Sequence, residues 1–245
     1  TGDGNLWWTG AIRKGMEYAY EQGAKYFIWL NDDCLVTNTA LQDLVSFCKE
    51  NPQSIVGCQG YESHDHTKIA FGGKAKTWKD YQLIVFPQNS VTSCGLLSGN
   101  LVCFHKSVIE KIGFPDATAL PHYGGDALFL ISAKKAGFKL YVDTRNLVFN
   151  IFSEPKLFPD RWLFKKGEPS AVLKLIFTPQ SNLSWRVWLK LKQEDASWLG
   201  VVIFLTYYPY KILIPVLFIT LLRFLPISAR NYVSTLKRKM SLTTK

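Results

Sequence analysis

The sequence predicts an α/β fold: a mostly parallel sheet with helices on both faces, followed by a C-terminal hydrophobic helical segment. Three observations carry this expectation. Short apolar runs alternate with amphipathic stretches from "WWTGAIRKG" to "KLYVDTRNLVFN". The run "YFIWL" is continuously apolar, the pattern of a strand covered on both faces. Beyond Asn150 the alternation stops, and residues 199–222 hold one charge, Lys211.

Taken in order, "WWTGAIRKGMEYAYEQGAKYFIWLNDD" reads as loop, helix, strand. Ala11, Gly15, Tyr18 and Ala19 recur at helical spacing, and Gly23 suits the helix C-terminus. "TALQDLVSFCKEN" is a second amphipathic helix, with Thr37, Asn38 or Thr39 as N-cap. "SIVGCQGY" is a second strand. Residues 61–93 are less regular: "IAFGGKAK" and "YQLIVFP" are either paired strands or an excursion over the sheet. "SGNLVCFHKSVIEKIG" reads as strand then short helix ending at Gly113. Asp126 opens a further helix, Gly137 closes it, and "KLYVD" is the next strand. The expected organisation is therefore a domain over residues 1–150, an aromatic and basic extension over 151–198, and a membrane-associated helical segment with a basic tail over 199–245.

The 245 residues carry a net charge of +10. Such a balance favours phosphate-bearing partners: nucleic acid, anionic lipid or phosphorylated small molecules. There is no RNA-binding signature, zinc-finger spacing or helix-turn-helix pattern, so no nucleic acid partner is expected. Cys34, Cys48, Cys58, Cys94 and Cys103 are odd in number and lack C-x-x-C spacing. They fit buried free thiols rather than a disulfide frame or zinc site. The opening "TGDGNLWWTG" reads like the middle of a domain.

Residues 199–222 are long enough to span a bilayer. Pro209 and Pro215 would kink such a helix. Two half-helices in the interface, anchored by Tyr207, Tyr208 and Tyr210, are the rival reading. A buried helical hairpin is the third.

Three short stretches can carry chemistry. Asn31-Asp32-Asp33 ends the first strand, where open α/β sheets bind ligands. Paired carboxylates with an amide oxygen suit Mg²⁺ or Mn²⁺ holding a diphosphate, and equally suit a strand-ending turn. In "HYGGDALFL", Asp126 stands at a helix N-terminus, fit for an N-cap or a general base, with His122 close by. Ser98-Gly99-Asn100 is a polar loop among apolar residues, either a tight turn or an approach of backbone to a ligand.

In this order, the three stretches resemble family-2 glycosyltransferases of the GT-A (Rossmann-like) fold, most of all the rhamnosyltransferase-type members of bacteria. The resemblance covers roughly residues 2–150. It implies an inverting, hexosyl-type transfer from a nucleotide-sugar donor to a glycan or lipid-linked acceptor, as in cell-envelope polysaccharide synthesis. It gives Asp33 and Asp32 to the Mg²⁺ or Mn²⁺ ion, and Asn31, Asp32 and Asp33 to the DxD-like motif on the donor diphosphate. Asp126 becomes the base on the acceptor hydroxyl. Ser98, Gly99, Asn100, His122, Gly124, Gly125 and Trp8 fall on the substrate side. It further implies a position on the cytoplasmic face of the bacterial inner membrane, peripheral or C-terminally anchored. The sequence departs from the family at Asn31, at Gly125 in place of Glu, at Leu128, at Ser132 and at Asn150 in place of His. The unit that holds the nucleobase would precede Thr1. A catalytically inactive relative that binds glycans or a partner at the membrane is the alternative. A sugar nucleotidyltransferase would need a Gly-rich phosphate loop, which the sequence does not contain.

Overall fold

The computed structural model describes residues 4–37, 39–151 and 162–243, with side chains as far as Thr235. Asn38 and the side chains of Lys237, Arg238 and Lys239 lie outside the described residues.

The fold is α/β. Helix α1 (Trp7–Glu21) leads into β1 (Tyr26–Leu30), β2 (Cys34–Val36), α2 (Ala40–Glu50) and β3 (Ser54–Glu62). Strands β4 (Asp65–Phe71), β5 (Gly73–Lys76), β6 (Tyr81–Leu83), β7 (Val91–Ser93), β8 (Leu96–Leu97) and β9 (Leu101–His105) follow. Helices α3 (Ser107–Ile112) and α4 (Gly125–Lys135) then lead to the long β10 (Lys139–Asn150). The main sheet runs β1-β9-β3-β10-β2, with β4 beside β3 and β7 beside β10. Strands β6, β5 and β8 form a small second sheet, so the less regular stretch does contain paired strands.

Strand direction decides where the site lies. β3 and β10 pair in parallel, while β9 is antiparallel to both β1 and β3. Hence β1, β3 and β10 point the same way, and β9 is the reversed strand between β1 and β3. The sheet is thus more mixed than the alternation of elements suggests, because β9 enters from the small sheet through a tight turn instead of through a crossover helix. Among the described strands β1 stands at the sheet edge, not fully covered as its apolar run implied; Phe27 and Trp29 are buried, but Leu30 is exposed.

Period-two alternation sends side chains to two cores. On one face Phe27, Trp29, Ile55, Val102, Phe104, Leu140 and Val142 meet Met16 of α1 and Phe129 and Leu130 of α4. On the other, Val56, Cys58, Leu101, Cys103 and Val148 meet Leu44 and Cys48 of α2. Helices therefore cover both faces. The buried residues of α1 are Thr9, Gly10 and Met16, with Trp8, Ile12 and Ala19 packed at their margin. Ala11, Gly15 and Tyr18 face outward, one helical step away from the stripe the sequence suggested. The reason is the anchoring of Trp8 on Trp29, which rotates the helix. Helices α1 and α4 both end in a glycine at positive φ: the Gly23 and Ala24 N–H groups return to Tyr20 and Ala19, and those of Gly137 and Phe138 to Lys134 and Ala133. Thr39 stands at the N-cap position of α2 but makes no side-chain capping bond; the Thr37 and Thr39 hydroxyls both donate to Asn146 Oδ1, at 3.1 and 3.0 Å. All five cysteines are free thiols, three of them buried.

The C-terminal part builds a third core of its own. Helices α5 (Ala171–Lys174), α6 (Trp185–Tyr208), a π-helical turn (Pro209–Leu213), α7 (Ile214–Arg223) and α8 (Ile227–Thr243) follow one another. Trp162, Val172, Leu183, Tyr208, Ile212 and Val216 pack together there. Within Trp185–Arg223, the helical stretch that follows Ser197 is long and apolar enough to cross a membrane. Pro209 and Pro215 do not break it, because the π-helical turn opens the helix where their missing N–H groups fall. The break comes earlier, at Ala196 and Ser197, whose backbone leaves helical geometry; there the chain doubles back, which sets Trp188 against Tyr207 and Tyr208. Tyr208 is no interfacial anchor: it is buried and donates its hydroxyl to Leu183 O at 2.8 Å.

Candidate active site

Because β9 runs against β1, the end of β1 meets the start of β9, in the register Leu30↔Leu101. This brings Asn31 and the Ser98–Asn100 turn together: the Asn31 N–H donates to Asn100 O at 2.9 Å. Ser98 is tied to the small sheet, its N–H donating to Gly72 O at 3.0 Å and its Oγ accepting from the Gly72 N–H at 3.4 Å. From α1, the Trp8 indole N–H donates to Asn31 Oδ1 at 2.9 Å and fixes that amide.

Helix α4 contributes Asp126. The helix begins at Gly125, so Asp126 lies within its first turn and not at the capping position. Its carboxylate does not bond its own helix; Oδ2 accepts the Gly99 N–H at 2.9 Å. A Cβ on Gly99 would lie 2.6 Å from the Cβ of Asp126. Gly125 is equally constrained, since a Cβ there would collide with Thr9 Oγ1 of α1. The absence of a side chain at 125 is therefore the condition for α1 and α4 to pack as they do. His122 stacks at a tilt on Trp7, with ring centres 5.5 Å apart. Its Nδ1 is buried and has no hydrogen-bond partner. Burial lowers its pKa, against the opposing pull of the Asp126 charge, so the neutral ring is favoured.

These groups line a cleft of about 590 Å³. Of the residues singled out from the sequence, Trp8, Asn31, Ser98, Gly99, Asn100, His122, Gly124 and Asp126 line it. Asp32, Asp33 and Gly125 do not. Asp32 is exposed in the turn after β1, and Asp33 is half-buried beside it. The Asp33 carbonyl accepts the Ile151 N–H at 2.8 Å, and Cys34 pairs with Asn150 across β2 and β10. The Cys34 thiol is pushed up to about 12, by burial first and by the Asp33 charge second. Among the described residues no group of three or more His, Cys, Asp and Glu gathers as a metal cluster. The donor set is two neighbouring carboxylates with the Asn31 amide oxygen. That suits a hard cation that takes its remaining ligands from water and phosphate oxygens.

The opposite wall was not legible as a site. Asp80 accepts from Lys192 Nζ at 3.2 Å and Lys211 Nζ at 3.4 Å. Asp195 accepts from the Tyr81 hydroxyl at 2.6 Å and Lys76 Nζ at 2.9 Å. Lys192 and Lys211 also lie over the Trp188 ring, at 5.7 and 5.8 Å. The interleaving of Trp with Lys and Arg past residue 151 was the available signal. Its pairing with Asp80 and Tyr81, more than a hundred positions away, was not.

Residues 1–112 match the family model described as "Glycosyl transferase family 2". This first part of the chain thus carries the sequence pattern of that family, and the matched segment includes Asn31–Asp33 and Ser98–Asn100; His122 and Asp126 lie beyond it. Comparison with curated protein sequences gives no match. Among solved structures, the chain is similar to GalNAc-T7 crystallised with UDP, GalNAc and Mn²⁺, at a TM-score of 0.44 and 12% identity over 58% of this chain and 30% of that one. It is also similar to A197 from STIV, at a TM-score of 0.41 and 12% identity over 59% and 65%. The chain thus spans less than two thirds of either structure's length.

Proposed function

We propose that the protein is an inverting glycosyltransferase of the GT-A type, moving a hexosyl group from a nucleotide-sugar donor to a hydroxyl of a glycan or lipid-linked acceptor. The observation that carries this is the convergence of Asn31, Ser98–Asn100 and Asp126 on one cleft at the carboxyl end of β1, within a chain whose first 112 residues match a glycosyltransferase family. In this reading Asp126 takes the proton from the acceptor hydroxyl as that oxygen attacks the anomeric carbon. The Gly99 N–H holds the carboxylate by one oxygen and leaves the other for the proton. Asp33 and Asp32 would hold Mg²⁺ or Mn²⁺, which supplies positive charge for the departing nucleoside diphosphate. Asn31, pinned by Trp8, lines the donor side. Ser98, Gly99, Asn100, His122, Gly124 and Gly125 shape the acceptor side, directly or through the packing of α4.

The same reading divides the chain into a catalytic domain over residues 1–150, an aromatic extension over 151–198 and a membrane-contacting segment over 199–245. It places the enzyme on the cytoplasmic face of a bacterial inner membrane, serving envelope polysaccharide. A second reading, an inactive relative that binds glycans or a partner, is favoured by Gly125, where Thr9 leaves no room for a side chain.

Calorimetry with UDP-, GDP- and dTDP-sugars, with and without Mn²⁺, tests the reading. Metal-dependent donor binding that weakens in Asp33→Asn supports it. Binding of a glycan with no nucleotide binding would favour the inactive relative.

A further inference from the structure

An unexplained apolar surface lies on the C-terminal helical stretch after Ser197. Trp198, Leu205, Tyr210, Ile214, Leu221 and Phe224 are 59% to 76% exposed. They recur at helical spacing, and Leu199, Val202, Leu217 and Phe218 fill the gaps between them. Contiguous apolar surface of this extent marks a contact site. The other side of the same run is committed to protein. Tyr208, Ile212, Val216 and Ile219 are buried in the C-terminal core. Lys211 reaches Asp80, and the buried Arg223 donates to the carbonyls of Lys165 and Gly167, both at 3.1 Å.

We propose that this face docks flat on an anionic bilayer, with the helical stretch from Trp198 to Arg223 lying in the interface plane rather than crossing it. A crossing helix would carry Lys211, Asp80 and the core-packed side into hydrocarbon, where charged and polar groups are costly. Lying flat, the run immerses its apolar stripe alone. Residues 198–223 extend about 39 Å at the usual helical rise, more than the roughly 30 Å hydrocarbon core requires. Charge selects the lipid: besides Lys211 and Arg223, which are committed to protein, residues 196–245 contain five Lys and Arg and no Asp or Glu, in a chain of net charge +10. Three of the tail cations, Lys237, Arg238 and Lys239, are consecutive. A one-sign segment beside an apolar stripe is the complement of an anionic headgroup layer.

Flat docking also places the cleft. Lys211 and Ile212 line it, while their neighbours Tyr210 and Ile214 face outward. One helix, about 10 Å across, then separates the cleft from the lipid. An acceptor hydroxyl carried on a lipid would meet Asp126 from that side; this consequence rests on the glycosyl-transfer reading, whereas the docking does not.

The test floats the full chain with vesicles of phosphatidylcholine alone or mixed equally with phosphatidylglycerol. The expected result is binding to the mixed vesicles, removal by alkaline carbonate, and loss of about ten-fold or more in affinity when Leu205, Leu221 and Phe224 are each changed to Glu. Fluorescence lost on Trp198→Phe should be quenched more by bromines near the headgroup than by bromines deep in the acyl chain. Carbonate resistance with deep quenching would overturn the proposal in favour of a spanning helix. Absence of vesicle binding, with a concentration-dependent dimer that the Glu variant abolishes, would overturn it in favour of a second copy. Vesicle binding by a chain that binds no nucleotide would uphold the docking and remove the catalytic reading.

Discussion

The Gly99 N–H donates to Asp126 Oδ2 at 2.9 Å, and the space for this contact exists because residue 99 has no Cβ. A turn between two strands and the first turn of a helix are thereby locked together at the head of the cleft. Gly99→Ala should push Asp126 off its position at a cost of roughly 1–3 kcal/mol, the usual range for overpacking. Thermal unfolding measures the stability loss. Sugar transfer should fall more than stability alone explains, and a variant with normal turnover would separate Asp126 from its Gly99 contact.

Gly125 tests the close packing of α4 against α1. A Cβ there meets Thr9 Oγ1, and lies 2.8 Å from Thr9 Cγ2. Gly125→Ala should therefore destabilise the fold by roughly 1–3 kcal/mol. Combined with Thr9→Gly, which opens that space, the cost should be clearly less than additive. Additive losses in denaturant unfolding would show that the two residues do not compete.

Trp8 fixes Asn31 by one hydrogen bond and packs edge-on against Trp29. Trp8→Phe keeps most of the ring and removes the N–H. Donor affinity, measured by calorimetry, should weaken about five-fold, near the 1 kcal/mol worth of an ordinary hydrogen bond. Unchanged affinity would place Asn31 outside the donor site.

His122 gives the site a pH signature. Burial lowers its pKa in the folded protein. The unfolded chain then binds more protons than the folded one around the ordinary histidine value of about 6.5. Stability should accordingly rise with pH through that range and be lost as pH falls through it. His122→Phe, which keeps a ring against Trp7, should flatten the acid side of the stability profile. An identical profile in wild type and variant would contradict the assignment.

Much of this was legible in the sequence, for a physical reason. The turn after β1, the Ser98–Asn100 loop and the α4 N-terminus are punctuated by Asn, Asp, Ser and Gly between apolar runs, and such punctuation is local. The reversal of β9 was not legible, since an apolar strand reads the same in either direction. Nor was the outward face of Tyr18, because Trp8 sets the rotation of α1 through contact with Trp29, a residue on another element. The wall of Asp80, Asp195, Lys192 and Lys211 stayed hidden because its ion pairs close only when the C-terminal helices fold back over the small sheet.

The central claim is that Asp126 removes the acceptor proton. Turnover of a nucleotide-sugar and acceptor pair by Asp126→Asn tests it most directly. The account predicts a fall in kcat of about 10²–10⁴-fold, the worth of a positioned base, with metal-dependent donor binding retained. Undiminished turnover in Asp126→Asn would contradict it.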